Sequence, residues 1–175
     1  AEPSFALWRL GRIAANSDEL TSIFNDGLSD LDVRLRQSDI AQEFIEHFDN
    51  FLNVFGSRGP NEWETACETW GTNPASVLTL IDRMRLTDEQ NSPSVRSQEL
   101  SKKREEATRN ARKELKGLGS WLFEKALHSS ILFSQARERS KTTIVDLIHV
   151  ARLITRELAI RTAEQRNNAE LIDLW

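Results

Sequence analysis

The chain is poor in residues that cross-link or interrupt a polypeptide. Its 175 residues include one cysteine, four prolines and seven glycines. The single cysteine, Cys67, excludes a disulfide framework within the chain and points to a reducing compartment, so cytoplasm is the expected location. No apolar run approaches ~18 residues, which argues against a membrane span. The opening AEPSFALWRLGR lacks the basic start and long apolar centre of a signal peptide. HExxH, paired CxxC, GxSxG and Walker sequences are all missing, which removes the usual zinc, hydrolase and nucleotide signatures. The three histidines, His47, His128 and His149, have no second histidine or cysteine at metal-ligand spacing, so each reads as a packed or surface residue and no metal site is expected. Cys67 has no nearby partner to activate it and reads as a buried, inert thiol.

The residues present describe a globular helical protein. Apolar residues make up 39 % and charged residues 29 %, and a chain of this length buries roughly 70 % of its unfolded surface. The formal net charge of -4 gives no broad attraction to nucleic acid or to an anionic membrane, so neither is an expected partner. The run KKREEATRNARKELK is basic only in part: acidic residues are interleaved and no aromatic side chain is there to stack on a base, so it reads as a solvated helix face.

Breakers and caps divide the chain. Pro3 suits the first turn of a helix ending near Asn16, Ser17 caps a second, and Gly27 closes it. From Ser38 to Phe55 the residues Ile40, Phe44, Phe48, Phe51 and Phe55 recur at spacings of three and four and mark one apolar face. Asn73-Pro74 begins a helix to about Arg85, with Val77, Leu78 and Ile81 facing inward. A polar, flexible connection is expected over 87–97, then a charged helix from Gln98 to Lys116. The rest reads as helices over Ser120–Gln135 and Ala136–Gln165, or as one unbroken helix. No alternating strand pattern appears, so the fold class is all-α: a single helical domain over 1–175, of about six to eight helices, with two long C-terminal helices packed against a half built of shorter ones.

One stretch departs from this pattern. FGSRGPNEWETACETW, residues 55–70, packs two glycines, a proline, an arginine, three glutamates and two tryptophans between helices. Gly56 and Gly59 supply unusual backbone shapes, and Pro60 stiffens the turn. An ordered irregular loop over 56–73 is therefore expected, anchored by its tryptophans. A second feature lies on the last helix. The line Ile144, Ile148, Ala151, Leu158 is expected to point inward, and extending it backwards reaches Lys141, Arg137 and Phe133. Two cations on an inward face are either snorkelling residues or a pair aimed at an anion such as phosphate, and periodicity leaves both open.

FGSRGPNEWE, followed by TWGTNPASVLTLIDRMR and much later by ARERSKTTIVDLIHVAR, resembles the central helical region of phosphoenolpyruvate-utilising enzymes of the phosphoenolpyruvate synthase and rifampicin phosphotransferase kind. The matching elements are Gly56, Arg58, Gly59, Pro60, Glu62, Trp70, Pro74, Arg137, Glu138 and Lys141, and the likeness runs from about Ile40 to Glu164. The resemblance implies one part of a larger multidomain enzyme. This part would bind the small-molecule acceptor, an ATP-grasp domain would use ATP and Mg2+, and a phosphohistidine domain would carry the phosphoryl group between them. No cofactor is expected in this chain, and alone it is expected not to catalyse. Arg137 and Lys141 would steady the transferred phosphoryl group, Glu138 would hold Arg137, and Arg58, Glu62 and Ser57 would shape the acceptor pocket, with Trp63 and Trp70 as candidate apolar lining. Trp121 is a further candidate for lining or core. Ser57 stands where the family usually has histidine, which opens a changed acceptor or a lost reaction. The alternative is a free-standing helical binding or interaction module that keeps the scaffold without the chemistry.

Overall fold

The computed structural model describes residues 3–166. Among them are seven α-helices and no strand. The chain divides into two compact units, one of residues 1–86 with 143–175 and one of residues 87–142.

The first unit is built on five short helices: α1 Pro3–Ala15, α2 Asp18–Asn25, α3 Leu31–Gln37, α4 Gln42–Phe55 and α5 Pro74–Arg85. Each turns a narrow apolar stripe toward a common core. Leu7, Leu10 and Ala14 come from α1, Phe44, Ile45, Phe48 and Phe51 from α4, and Val77, Leu78 and Ile81 from α5. Phe44 meets Phe24 edge to face at 5.8 Å and stacks on Phe48 at 6.2 Å, geometries that add to plain area burial. Gly11 lets α1 lie against α5, since a Cβ there would come within 2.7 Å of the Met84 Cβ. Beside it Arg12 donates to the carbonyls of Met84 and Arg85, both at 2.6 Å, and so satisfies the carboxyl end of α5. Ser17 and Asn73 are side-chain N-caps of α2 and α5, accepting from the amides of Leu20 and Ser76. Gly27 ends α2 with φ at +105°, a conformation that L side chains resist.

Two sequence expectations are corrected in this unit. Ile40 does not join the Phe44–Phe55 face; it is 61 % exposed. Residues Asp39–Ala41 form a 3-10 turn ahead of α4, and its tighter winding breaks the phase of the helical repeat. Gly56 is also not a residue of unusual backbone shape, for its φ is -62°. Its need for glycine lies instead in a close approach described below.

The second unit contains a 3-10 turn at Glu89–Asn91, α6 Pro93–Glu114, and the first part of α7, which runs unbroken over Leu118–Arg166. Helix α6 begins five residues before the expected Gln98, because Ser92 caps it by accepting from the Val95 amide and Pro93 suits its first turn. No residue of α6 is buried, in keeping with its charge. Gly117 turns the chain with φ at +55°, and Arg112 on α6 makes a two-pronged ion pair with Glu124 on α7 at 2.6 and 3.0 Å.

Candidate functional site

Loop 56–73 leaves α4 at Gly56 and enters α5 at Pro74, and its two ends are pinned to each other. The Trp70 amide donates to the Arg58 carbonyl and the Gly71 amide to the Gly56 carbonyl, both at 2.8 Å. This pairing brings two glycines together: a Cβ on Gly56 would collide with the Leu52 carbonyl oxygen and lie 3.2 Å from the Gly71 Cα. Gly59 likewise has no positive φ, and a Cβ on it would lie 3.1 Å from the Thr69 Cα. Asn61 sits in the left-handed region at φ 54°, and the Glu64 amide returns to its carbonyl at 2.8 Å. At the far end the Thr69 amide donates to Thr72 Oγ1 at 2.8 Å, and Asn73 donates to Glu68 at 2.6 Å.

The loop presents a charged pair. Arg58 Nη1 donates to Glu62 Oε1 at 3.2 Å, and the two side chains are only 20 % and 12 % exposed. Trp70 turns inward and packs its ring on Phe51 at 5.5 Å, whereas Trp63 is 52 % exposed. A shallow depression of about 270 Å³ opens on the loop, lined by Pro60, Asn61, Cys67, Glu68, Thr69, Asn73 and Ser76. The expectation of a buried Cys67 is corrected by this placement, since the thiol is free, half-buried and at the edge of the depression.

Three α7 residues at intervals of three, Asp146, His149 and Arg152, meet the loop. The interval places them along one helix face over about 9 Å. Ser57 Oγ donates to Asp146 Oδ1 at 2.7 Å, so this serine is tied to α7. Thr69 Oγ1 lies 3.3 Å from His149 Nδ1, and Arg152 Nη1 lies 3.2 Å from the same nitrogen. Arginine only donates, so His149 Nδ1 accepts, its proton sits on Nε2, and Thr69 donates as well. Arg152 Nη2 also donates to the carbonyls of Glu62 at 3.0 Å and Glu64 at 2.8 Å. Arg152 is wholly buried, and its Nε has no hydrogen-bond partner among the described residues.

The electrostatics follow from burial. Burial and the neighbouring Arg152 cation hold the His149 pKa below its ordinary value, with Asp146 opposing, so the neutral imidazole that the geometry requires is favoured. Burial chiefly, and Arg156, press the Arg152 pKa down, with Cys67 and Glu64 opposing.

The inward line read from sequence on the last helix is therefore corrected. Ile144 and Leu158 are 45 % and 58 % exposed and Ala151 is exposed, with Ile148 only partly covered. The buried positions are Val145, Arg152 and Ala163. The reason is the partner: loop 56–73 offers carbonyls and hydroxyls to this helix, and a polar face answers them. Arg137, Glu138 and Lys141 belong to the second unit. There Arg137 is 81 % exposed on its side chain and donates to Glu138 at 3.1 Å, and Lys141 is half-buried. Trp121, in the same unit, is 57 % exposed.

Sequence reasoning missed Asp146, His149 and Arg152 as a set. The signal was present in VDLIHVAR, where three polar residues at intervals of three interrupt an otherwise apolar run. Among the described residues no group of three or more His, Cys, Asp and Glu side chains is placed to hold a metal ion, and no helix is long and apolar enough to cross a membrane.

A family described as the rifampicin phosphotransferase fourth domain matches residues 1–140 of the 175, and the chain belongs to that family. The match includes loop 56–73, Arg137 and Glu138, and ends before Lys141 and the Asp146–Arg152 face. No curated protein and no solved structure matches the chain.

Proposed function

We propose that this chain is the acceptor-binding helical domain of an ATP-dependent, phosphohistidine-mediated phosphotransferase, silent without the ATP-grasp and phosphohistidine domains of its parent. The observation that carries this reading is the Arg58–Glu62 pair, largely withdrawn from water on a loop tied at both ends, within a chain of the rifampicin phosphotransferase fourth-domain family. A restrained loop holds its charges in position before the acceptor arrives, which is the main protein contribution to phosphoryl transfer. Arg58 contacts the acceptor or the incoming phosphoryl oxygens, and Glu62 fixes the direction of its guanidinium. Trp63, half-exposed on the loop, offers apolar surface to the acceptor, whereas Trp70 supports the loop from the core side through Phe51. The family resemblance, and not the placement of the two units, is what assigns Arg137 and Lys141 to neutralising charge on the transferred group, with Glu138 orienting Arg137. ATP and Mg2+ are handled by the ATP-grasp domain.

Ser57 fits a structural role better than acceptor contact, since its hydroxyl is committed to Asp146 and the residue is buried. The serine thus points to a changed attachment of the loop rather than to a lost proton donor at the acceptor.

The test uses the full-length protein with Mg-ATP and with rifampicin and pyruvate as acceptor probes. Transfer to either is expected from the whole protein and not from residues 1–175 alone. Lys141→Ala should lower the rate about 100-fold or more with the melting temperature unchanged. An unaltered rate removes Lys141 from the site. A reading frame with no ATP-grasp or phosphohistidine domain beside this one would instead favour a free-standing binding module.

A further inference from the structure

We propose that Arg152 is the positioning residue of the acceptor loop: from behind, it fixes the backbone that carries the Arg58–Glu62 pair. The proposal rests on the reading of that pair as part of the acceptor site. Two of the three α7 contacts hold the loop near its ends, Ser57 on Asp146 and Thr69 on His149. Arg152 holds the middle. Its Nη2 bridges the carbonyls of Glu62 and Glu64, on the far side of the left-handed Asn61 turn from Arg58. The carboxylate that directs Arg58 therefore hangs from a peptide that Arg152 grips directly.

The choice of arginine follows from geometry. One planar guanidinium reaches two carbonyls and the His149 nitrogen together, which a lysine ammonium on a single stem matches poorly. His149 adds a second function: as an acceptor it holds the fork in its plane, and through Thr69 it joins the fork to the far end of the loop. Arg152 is wholly buried, so it does not touch an acceptor and works only through the loop. A buried guanidinium with an unpartnered Nε is poor economy for stability alone, because desolvating a cation is unfavourable and an apolar residue would fill the same space more cheaply. Holding the two carbonyls at a defined place is what the arginine adds.

The test compares Arg152→Gln, Arg152→Lys, Arg58→Gln and the Arg58→Gln/Arg152→Gln double variant in the full-length protein. Amide hydrogen exchange over residues 61–70 is read beside phosphoryl transfer from Mg-ATP to rifampicin. In Arg152→Gln, loop amides should exchange about 10-fold faster or more while those of α1, α4 and α5 keep their protection. Transfer should fall about 10-fold or more, chiefly in kcat, and the double variant should be no slower than Arg58→Gln alone, since both act through one element. Arg152→Lys should lie between wild type and Arg152→Gln in loop exchange. It decides the matter if the glutamine variant does not fold: a lysine loop indistinguishable from wild type overturns the need for a guanidinium fork. Unchanged loop exchange in Arg152→Gln, or additive losses in the double variant, also overturns the proposal. If wild type does not use rifampicin, or Arg58→Gln transfers normally, the acceptor-site reading fails instead, and the exchange comparison alone decides whether Arg152 holds the loop.

Discussion

The first unit is held by two chemistries side by side. Helices α1, α4 and α5 meet through aliphatic and aromatic side chains such as Leu10, Phe48 and Ile81, all essentially without exposure. Loop 56–73 meets α7 through a serine, a threonine, a histidine and two backbone carbonyls gathered on one arginine. An apolar core gains stability from area and tolerates imprecision of direction, whereas hydrogen bonds in a dry site reward a single geometry. The core gives the domain its stability, and the polar attachment gives the loop its shape.

Substitutions can break this division in order of size. Phe48→Ala removes a fully buried ring stacked on Phe44 and should destabilise the domain by about 3–5 kcal/mol, measured by denaturant unfolding. A loss under about 1 kcal/mol would mean that the core is not the main source of stability. Gly56→Ala strikes the junction of core and loop, because its methyl group meets the Leu52 carbonyl and Gly71. It should cost about 1–3 kcal/mol and loosen the Gly56–Gly71 pairing, visible as faster exchange of the Gly71 amide.

Smaller effects isolate the polar attachment. His149 accepts from Arg152 and Thr69 only when neutral, and Asp146 is the carboxylate opposing its lowered pKa. The folded protein therefore takes up this proton at lower pH than the unfolded chain does. The stabilisation from the attachment should be complete above the ordinary histidine value of 6.5 and decline as pH falls below it. The decline should stay within about 1–2 kcal/mol between pH 7.5 and 5, and His149→Ala should flatten its histidine component. A wild-type stability profile identical to that of His149→Ala would remove His149 from the attachment. Least of all, Arg137→Ala should leave folding stability within about 0.5 kcal/mol, because its pair with Glu138 lies in water. A larger loss in unfolding experiments would give Arg137 a structural role.

Legibility in the sequence follows the same division. The apolar stripe of α4 and the inward set Val77, Leu78 and Ile81 were readable, because a period near 3.6 is what burial imposes on a helix. The irregular loop was readable from its glycines and proline, although close approach rather than unusual φ explains Gly56. The second half of α7 was misread. Its buried face carries Arg152 and a half-buried His149, while Ile144, Leu147 and Leu158 face outward, so a rule that sends apolar residues inward selects the wrong side. What covers a helix face is set by the chemistry of its neighbour, and a loop of carbonyls and hydroxyls leaves no mark in the helix's own periodicity. Arg58 and Glu62 stood out through family resemblance, and their spacing in the chain does not by itself reveal that they pair.

The account turns on whether the Arg58–Glu62 pair does chemistry or only braces the loop, and exchanging the two charges separates these roles. In the full-length protein, Arg58→Glu with Glu62→Arg should recover thermal stability to within about 1 kcal/mol of wild type, since the pair is re-formed in reverse. Phosphoryl transfer from Mg-ATP to an acceptor that the wild type uses should remain below about one-hundredth of its rate, because the cation no longer stands at position 58. Transfer restored to the wild-type rate would show that the pair only braces the loop, and would contradict its place in the acceptor site.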